Sequence, residues 1–513
     1  MKYLSFLMAA LLAGSTLAQS APSDSLFNTD QVVTIELTFS DPDFWSTLTT
    51  YYNNDLGETL PADVTITDNT GTHTYPYVAI DLKGNSSYGH PGNKKSFKID
   101  FNDNVPGQKY HGMTKVHLNN CFKDPTFMRE KIFFDFCRQQ GVLAPRVSYA
   151  NVTMNGTFWG FYDMVEPVDK NFLDRWVDGN DGNLFKAGDN FGGGPSGGTT
   201  AADLAFYGKD QASYYDRYEL KTNETENDWS DLLALIDALN NSSDADLVMQ
   251  FPALWEWEPM LRSLAIDNMF GNLDSYINSA RNYYIYHDAT SYKWNWIKWD
   301  ANESFGTYSG GPSGGNTLQL APNYTATSRP LLSRIFSDPV LYGQYVTQYC
   351  GAFDAFSNSG MDAHIDSIKA LIAPSVAADP NKQYTTAQFN TNIESNISVG
   401  GGPAGGTIHG LKAFITARAN YLSSALGCRT VGVQEWTSPK DLRVFPNPVN
   451  DVLHVLLPTG YSTEDLRVID VLGRSMPVEL SNGTIVFSGL ASGTYKLRIK
   501  GPSGQLTARV LKN

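Results

Sequence analysis

Basic residues are scarce in this chain: 38 Lys and Arg stand against 53 Asp and Glu over 513 residues, a formal net charge of −15. With a pI near 5.0, the long-range field repels phosphate backbones, which excludes nucleic acid and anionic membrane surfaces as partners. Cysteine is sparse too. Cys121, Cys137, Cys350 and Cys428 lie too far apart for a zinc knuckle and permit three complete disulfide pairings, all of them left open. Beyond the N-terminus no stretch reaches the roughly 20 uninterrupted apolar residues that a membrane-spanning helix needs, which excludes anchoring by a helix. Histidine is equally thin, and His111, His117 and His409 show no recognised ligand spacing to one another or to cysteine, which argues against zinc.

What is present suits a globular protein of more than one domain, with 42% hydrophobic and 12% aromatic residues. The chain opens on Lys2, an apolar run from Leu4 to Leu12 and small residues ending Thr16-Leu17-Ala18. That three-part form predicts a secretory signal over residues 1–18, cleaved after Ala18, and hence export. Residues 32 to 118 alternate apolar and polar side chains in short runs, predicting strands with one face in a core. Asp124-Pro125 then opens a helical pattern that Gly141 stops. Val147–Met154 and Phe158–Val165 read as a hairpin around Asn155-Gly156. Helical spacing dominates afterwards, over 228–239, 253–270, 339–356 and 411–426. Three glycine-rich hexapeptides, at 193–198, 310–315 and 401–406, carry proline between glycine pairs and are expected as surface loops.

Two short acidic loops carry the chemistry. Gly271-Asn272-Leu273-Asp274 leads through the strand Asn282–Tyr286 to Trp299-Asp300-Ala301-Asn302. Phosphoryl transfer needs that layout, with one carboxylate to orient a hydroxyl and another to hold magnesium against a triphosphate. Trp255-Glu256-Trp257 and Trp294-Asn295-Trp296 would stack sugars on a binding surface, or pack in a core, which is the commoner use of such rings. A compositional change near Cys428 marks a separate unit over residues 444–513, with a linker over 429–443. Its five short apolar runs between turn residues predict an all-β sandwich.

Two resemblances join these signals. The C-terminal unit resembles the sorting domain of the type IX secretion system of Bacteroidetes, on Phe445-Pro446-Asn447-Pro448, Asp470-Val471-Leu472-Gly473-Arg474, Leu490–Tyr495 and Val510-Leu511-Lys512. The resemblance implies the type IX machinery as a partner, and release outside the cell or attachment to its surface. Residues 30–428 resemble the CotH family of spore-coat-type atypical protein kinases, on Leu82-Lys83-Gly84-Asn85-Ser86-Ser87, Lys94–Lys98, Ala144-Pro145-Arg146, Asn155–Tyr162 with Glu166, Asn272-Leu273-Asp274, Asn282–Tyr286 and Trp299-Asp300 with Phe305-Gly306.

This second resemblance implies an α+β, two-lobed kinase-like domain with a β-rich N-lobe and a helical C-lobe. It also implies ATP with Mg2+, or Mn2+, as cofactors, and Ser or Thr of an envelope or extracellular protein as acceptor. By the same implication Asp274 is the catalytic aspartate and Asp300 the metal aspartate, with Asn302 or Asn282 as the assisting amide. Lys95, or alternatively Lys94 or Lys98, neutralises the phosphates, Glu130 pairs with that lysine, and Glu166-Pro167-Val168 meets the adenine. One departure from the family is Asn302, where a second aspartate is common; an amide still coordinates magnesium but brings no charge. The alternative expectation is a catalytically silent surface-binding protein on the same scaffold. Oligomeric state is left open.

Overall fold

The computed structural model describes residues 24–27, 31–177, 179–188, 200–308, 317–327, 329–357, 360–400, 406–428 and most of 443–512. The expected signal peptide, most of the linker and nearly all of the three glycine-rich hexapeptides lie outside the described residues. Contacts divide the chain into two units, residues 1–428 and 429–513.

The first unit begins with a closed barrel of β1 (Val32–Phe39), β2 (Leu60–Asp68), β3 (Gly71–Lys83), β4 (Ser96–Asp100), β5 (Lys115–Asn119), β6 (Val147–Met154) and β7 (Thr157–Val165). Strand order is β1-β2-β3-β4-β5-β7-β6, and the parallel pairing of β1 with β6 closes the ring. Alternation builds it: Val33, Ile35 and Leu37 point inward from β1, as do Val64 and Ile66 from β2 and Phe97 and Ile99 from β4. The expected hairpin is formed by β6 and β7, with Asn155 and Gly156 at φ +46° and +76° in its turn. Helix α1 (Phe44–Asn53) lays Phe44, Trp45, Tyr51 and Tyr52 against the barrel core.

Helix α2 (Arg129–Gln139) follows β5 and is buried from Arg129 through Cys137. Beyond the barrel come α3 (Lys170–Trp176), β8 (Asn183–Ala187), β9 (Tyr218–Leu220), α4 (Ser230–Asn241), α5 (Asp244–Gln250), α6 (Trp257–Met269), β10 (Tyr283–His287) and β11 (Trp294–Lys298). A second antiparallel sheet of order β11-β10-β8-β9 sits here. Helices α7 (Pro330–Ser337), α8 (Pro339–Ser357), α9 (Gly360–Ala378), α10 (Thr386–Glu394) and α11 (Leu411–Ala425) complete a second, largely helical core. Trp255, Trp294 and Trp296 are buried in that core, which removes them from any sugar-stacking surface.

The second unit holds two four-stranded sheets, residues of both sharing one apolar cluster built around Leu453, Ile485, Val468, Leu497 and Val510. All five sequence-predicted runs appear there as strands. No helix among the described residues is long and apolar enough to cross a membrane.

Of the three cysteine pairings, the structure bonds Cys350 on α8 to Cys428, 78 residues apart, and buries Cys121 and Cys137 as free thiols. Closing a loop of that length limits the unfolded chain. The double variant Cys350→Ala with Cys428→Ala therefore loses about 2–4 kcal/mol of stability, read as a lower urea midpoint, and the reduced wild-type protein matches it.

Candidate active site

Between the barrel and the β8–β11 sheet lies a cavity of ≈ 1380 Å³, lined mostly by polar atoms. Residues from widely separated segments meet on its walls: Lys83 from β3, Lys98 from β4, Glu130 from α2, Lys186 from β8, Asp274 from the loop after α6, and Asp300 with Asn302 from the loop after β11.

Lys83 arrives by strand geometry. Leu82 points into the barrel core, so its neighbours Asp81 and Lys83 project the other way, into the cavity. Burial pushes the Lys83 ammonium down to about 8, against the opposing pull of the Glu130 and Asp300 carboxylates. Glu130 is held by two donors, Asn119 Nδ2 at 2.9 Å and the Ala301 amide at 3.3 Å. Its own carboxyl is pushed up by burial, with Asn119 and Lys83 pulling it back.

Ala301 reaches Glu130 because Asp300 turns the chain at φ +50°, a left-handed conformation that is uncommon for a non-glycine residue. The two acidic loops are fastened to each other: the Phe305 amide donates to Phe270 O at 2.7 Å. Glycine is needed at that crossing, since Gly271 and Gly306 have φ +57° and +70° and a Cβ on Gly271 would stand 3.3 Å from Gly306 N.

Asp274 sits across the cavity wall. Asn282 Nδ2 donates to its backbone carbonyl at 2.8 Å and to Oδ2 at 3.1 Å, and Arg281 Nε lies 3.7 Å from Oδ1. Burial raises its pKa, with Arg281 opposing. Its loop is braced from below by Asp267, which pairs with Lys298 of β11 at 2.6 Å and accepts from Asn272 Nδ2 at 3.0 Å. Asn302 Nδ2 donates to Phe122 O at 3.1 Å.

The sequence-predicted residues thus divide. Asp274, Asp300, Asn302, Glu130 and Lys98 line the cavity, and Asn282 braces Asp274. Lys98 pairs with its cross-strand neighbour Asp81 at 3.1 Å. Lys95 instead donates to Tyr88 O at 2.6 Å and to His90 O, and Lys94 forms a buried ion pair with Asp379. Glu166 turns to Arg146 at 2.6 Å, while Pro167, Val168 and Asp169 line the cavity. Lys83, given no role from sequence, occupies the place sought for Lys95. The missed signal was its parity on β3, opposite Leu82.

Residues 80–422 match the family described as CotH kinase protein, and residues 443–513 match the secretion system C-terminal sorting domain. The chain belongs to the CotH kinase family. It is 26% identical to inner spore coat protein H of Bacillus subtilis over 61% of this chain and 81% of that protein. It is 20% identical to invasin CotH2 of Rhizopus delemar over 72% of this chain and 64% of that one. A structure of the HipA, HipB and operator DNA complex of Shewanella oneidensis aligns at 11% identity over 61% of this chain and 59% of the other. Its TM-score is 0.29. The sorting domain implies passage through the type IX machinery to the cell surface or beyond.

Lys83 gives a direct test of this electrostatic arrangement. Competitive amine labelling with peptide mapping should show a midpoint near pH 8 for Lys83. In Glu130→Gln and Asp300→Asn the midpoint falls further, by about one unit each, because each variant removes an attracting charge.

Proposed function

We propose that this CotH-family chain is an exported, magnesium-dependent kinase that passes the γ-phosphoryl group of ATP to a Ser or Thr hydroxyl of an envelope or extracellular protein. The observation that carries the reading is the meeting of Lys83, Glu130 and Asp300 in one cavity that Asp274 also lines. Charge on a transferring phosphoryl group spreads over its oxygens, so catalysis consists mainly of positioning and charge neutralisation.

Lys83, rather than Lys95, would neutralise the phosphates, with Glu130 fixing its direction. Asp300 and the amide oxygen of Asn302 suit Mg2+, a hard ion that takes oxygen ligands and arrives partly hydrated. Magnesium supplies charge on the phosphate oxygens. Asp274 would accept the proton of the attacking hydroxyl, and its burial-raised pKa favours that acceptance. Pro167–Asp169, on the strand-to-helix connection, offer backbone groups to the adenine edge. The two-lobed kinase arrangement and a β-sandwich sorting domain are the architectures that fit the barrel, the helical core and the paired C-terminal sheets.

Phosphate transfer from γ-labelled ATP with magnesium tests the reading on the mature protein. Asp274→Ala lowers the transfer rate by about 10²–10⁴-fold with nucleotide binding retained, as for loss of a general base; Asp300→Ala and Lys83→Met weaken the binding itself. Nucleotide affinity falls as pH rises through about 8, because only the protonated Lys83 attracts phosphate; bound phosphate moves that midpoint upward. Nucleotide binding without transfer in the wild type would instead favour the silent surface-binding protein.

A further inference from the structure

A second polar cluster sits on the barrel, away from the cavity, where the β2–β3 hairpin meets the turn at Tyr110–Met113. Asp68 ends β2, His73 lies on β3 opposite Ile66, and His111 is held at φ +44° inside the short Tyr110–Met113 bridge. One ligand atom from each of these three residues falls within 4.8 Å of the others. Each imidazole Nε2 stands 4.0 Å from an Asp68 carboxylate oxygen, His73 from Oδ1 and His111 from Oδ2.

Thr70 fills the centre. Its Oγ1 lies 2.6 Å from Asp68 Oδ1, 2.9 Å from His73 Nε2 and 3.3 Å from His111 Nε2. A hydroxyl has one proton, which the carboxylate takes at this distance, so the two ring nitrogens gain nothing from it unless both carry Nε2–H. A cation placed there would satisfy all three acceptors at once.

We propose that Asp68, His73 and His111 bind one divalent transition-metal ion, with zinc the ion their donor set suits best. Two imidazoles and a carboxylate are common ligands of a tetrahedral site, whose fourth position the Thr70 hydroxyl or a water fills. Tetrahedral ligand atoms about 2.1 Å from zinc stand roughly 3.4 Å apart, so ligand atoms lying within 4.8 Å of one another need closure of roughly 1.4 Å at most, within reach of side-chain rotation. The carboxylate is already oriented: the Tyr110 hydroxyl donates to Oδ2, and the Thr70 amide donates to Oδ1 at 2.8 Å. Outer-shell donors of this kind fix a metal ligand before the metal arrives.

Wide sequence spacing, 38 residues from His73 to His111, hid the pair from motif reading, and the hairpin fold removes that distance. Bound metal would clamp the hairpin to the Tyr110–Met113 turn. Lys83 lies ten residues farther along β3 than His73, and none of Asp68, His73 and His111 lines the cavity, so this site is independent of the phosphoryl-transfer reading.

The full chain, stripped with a chelator and then titrated with zinc chloride against a chromophoric competitor, should bind one equivalent at this site. Its Tm rises by several degrees on binding. His73→Ala and His111→Ala each lose more than the roughly 10–100-fold in affinity that removal of an outer-shell partner costs, while Asp300→Ala binds zinc as the wild type does. Cobalt(II) substitution gives the intense visible bands of a tetrahedral centre in the wild type. Absence of those bands, or zinc affinity unchanged in both histidine variants, overturns the site, and the cobalt spectrum decides even where a variant fails to fold.

Discussion

A helix buried over nine consecutive residues, Arg129 to Cys137, that still carries four charged ones among them must satisfy all four inside the protein, and α2 is such a helix. Desolvation of an unpaired charge costs several kcal/mol, so each of these side chains dictates what must stand beside it. Asp124 caps the first turn through the Met128 and Arg129 amides and faces the Arg129 guanidinium at 3.3 Å. Arg129 also donates to Asn392 Oδ1 on α10 at 2.6 Å and to His409 O at 2.8 Å. Lys131 donates to Val147 O on β6 and pairs with Asp135, which in turn meets His364 on α9 at 3.0 Å. The helix therefore ties barrel, acidic loops and helical core together through charge as well as through packing. Glu130 is the one charge of the four that opens on the cavity, and its partners Asn119 and Ala301 belong to the two walls that must keep register.

The same constraint sets the chemistry of the cavity. Lys83 and Glu130 titrate in opposite directions from their ordinary values for one reason, the removal of water, and each is drawn back by the other's charge. Water-poor surroundings also raise the Asp274 and Glu303 carboxyls and hold His117 well below its usual value. A polar cavity of this kind gains most from a ligand that brings both negative oxygens and a compensating cation, since adding either alone would leave one sign in excess. A net acidic protein can thus still carry a cationic group on its cavity wall: the local arrangement, not the total charge, sets the potential at Lys83.

Much of this was legible in the sequence where the signal is local. Period-two alternation gave β1 and β4, Asn155-Gly156 gave the β6–β7 turn, and the five C-terminal runs became strands. The positions of Asp274 and Asp300 followed from loops flanking a strand hairpin, which requires only neighbours along the chain. What sequence could not supply were pairings between distant segments. The barrel closes through β1 against β6, parallel strands separated by four others, and no local pattern encodes that partner. Lys95, expected with Lys94 or Lys98 as its alternatives, lies where the carbonyls of Tyr88 and His90 fold back onto it, whereas Lys83, given no role from sequence, inherits its direction from Leu82. The Glu166 side chain takes a partner of the same non-local kind, because Arg146 lies beside it only once β6 and β7 have paired.

The junction between the units carries a last consequence of the same physics. Helix α11 ends at Ala425, and Cys428, the last residue of the first unit, is bonded back to Cys350 in α8. Helix ends fray because their final carbonyls lack intrahelical partners, and Arg418, buried in α11, bonds Leu320 O at 2.6 Å and Asn268 Oδ1 at 2.8 Å. Loosening α11 would therefore disturb Asn268, which lies on α6 just ahead of the loop that carries Asp274. A covalent tie at Cys428 keeps that disturbance from starting at the chain's exit. Both cysteines lie in the first unit, so a cut anywhere after residue 428 leaves the bond that holds the end of α11 intact.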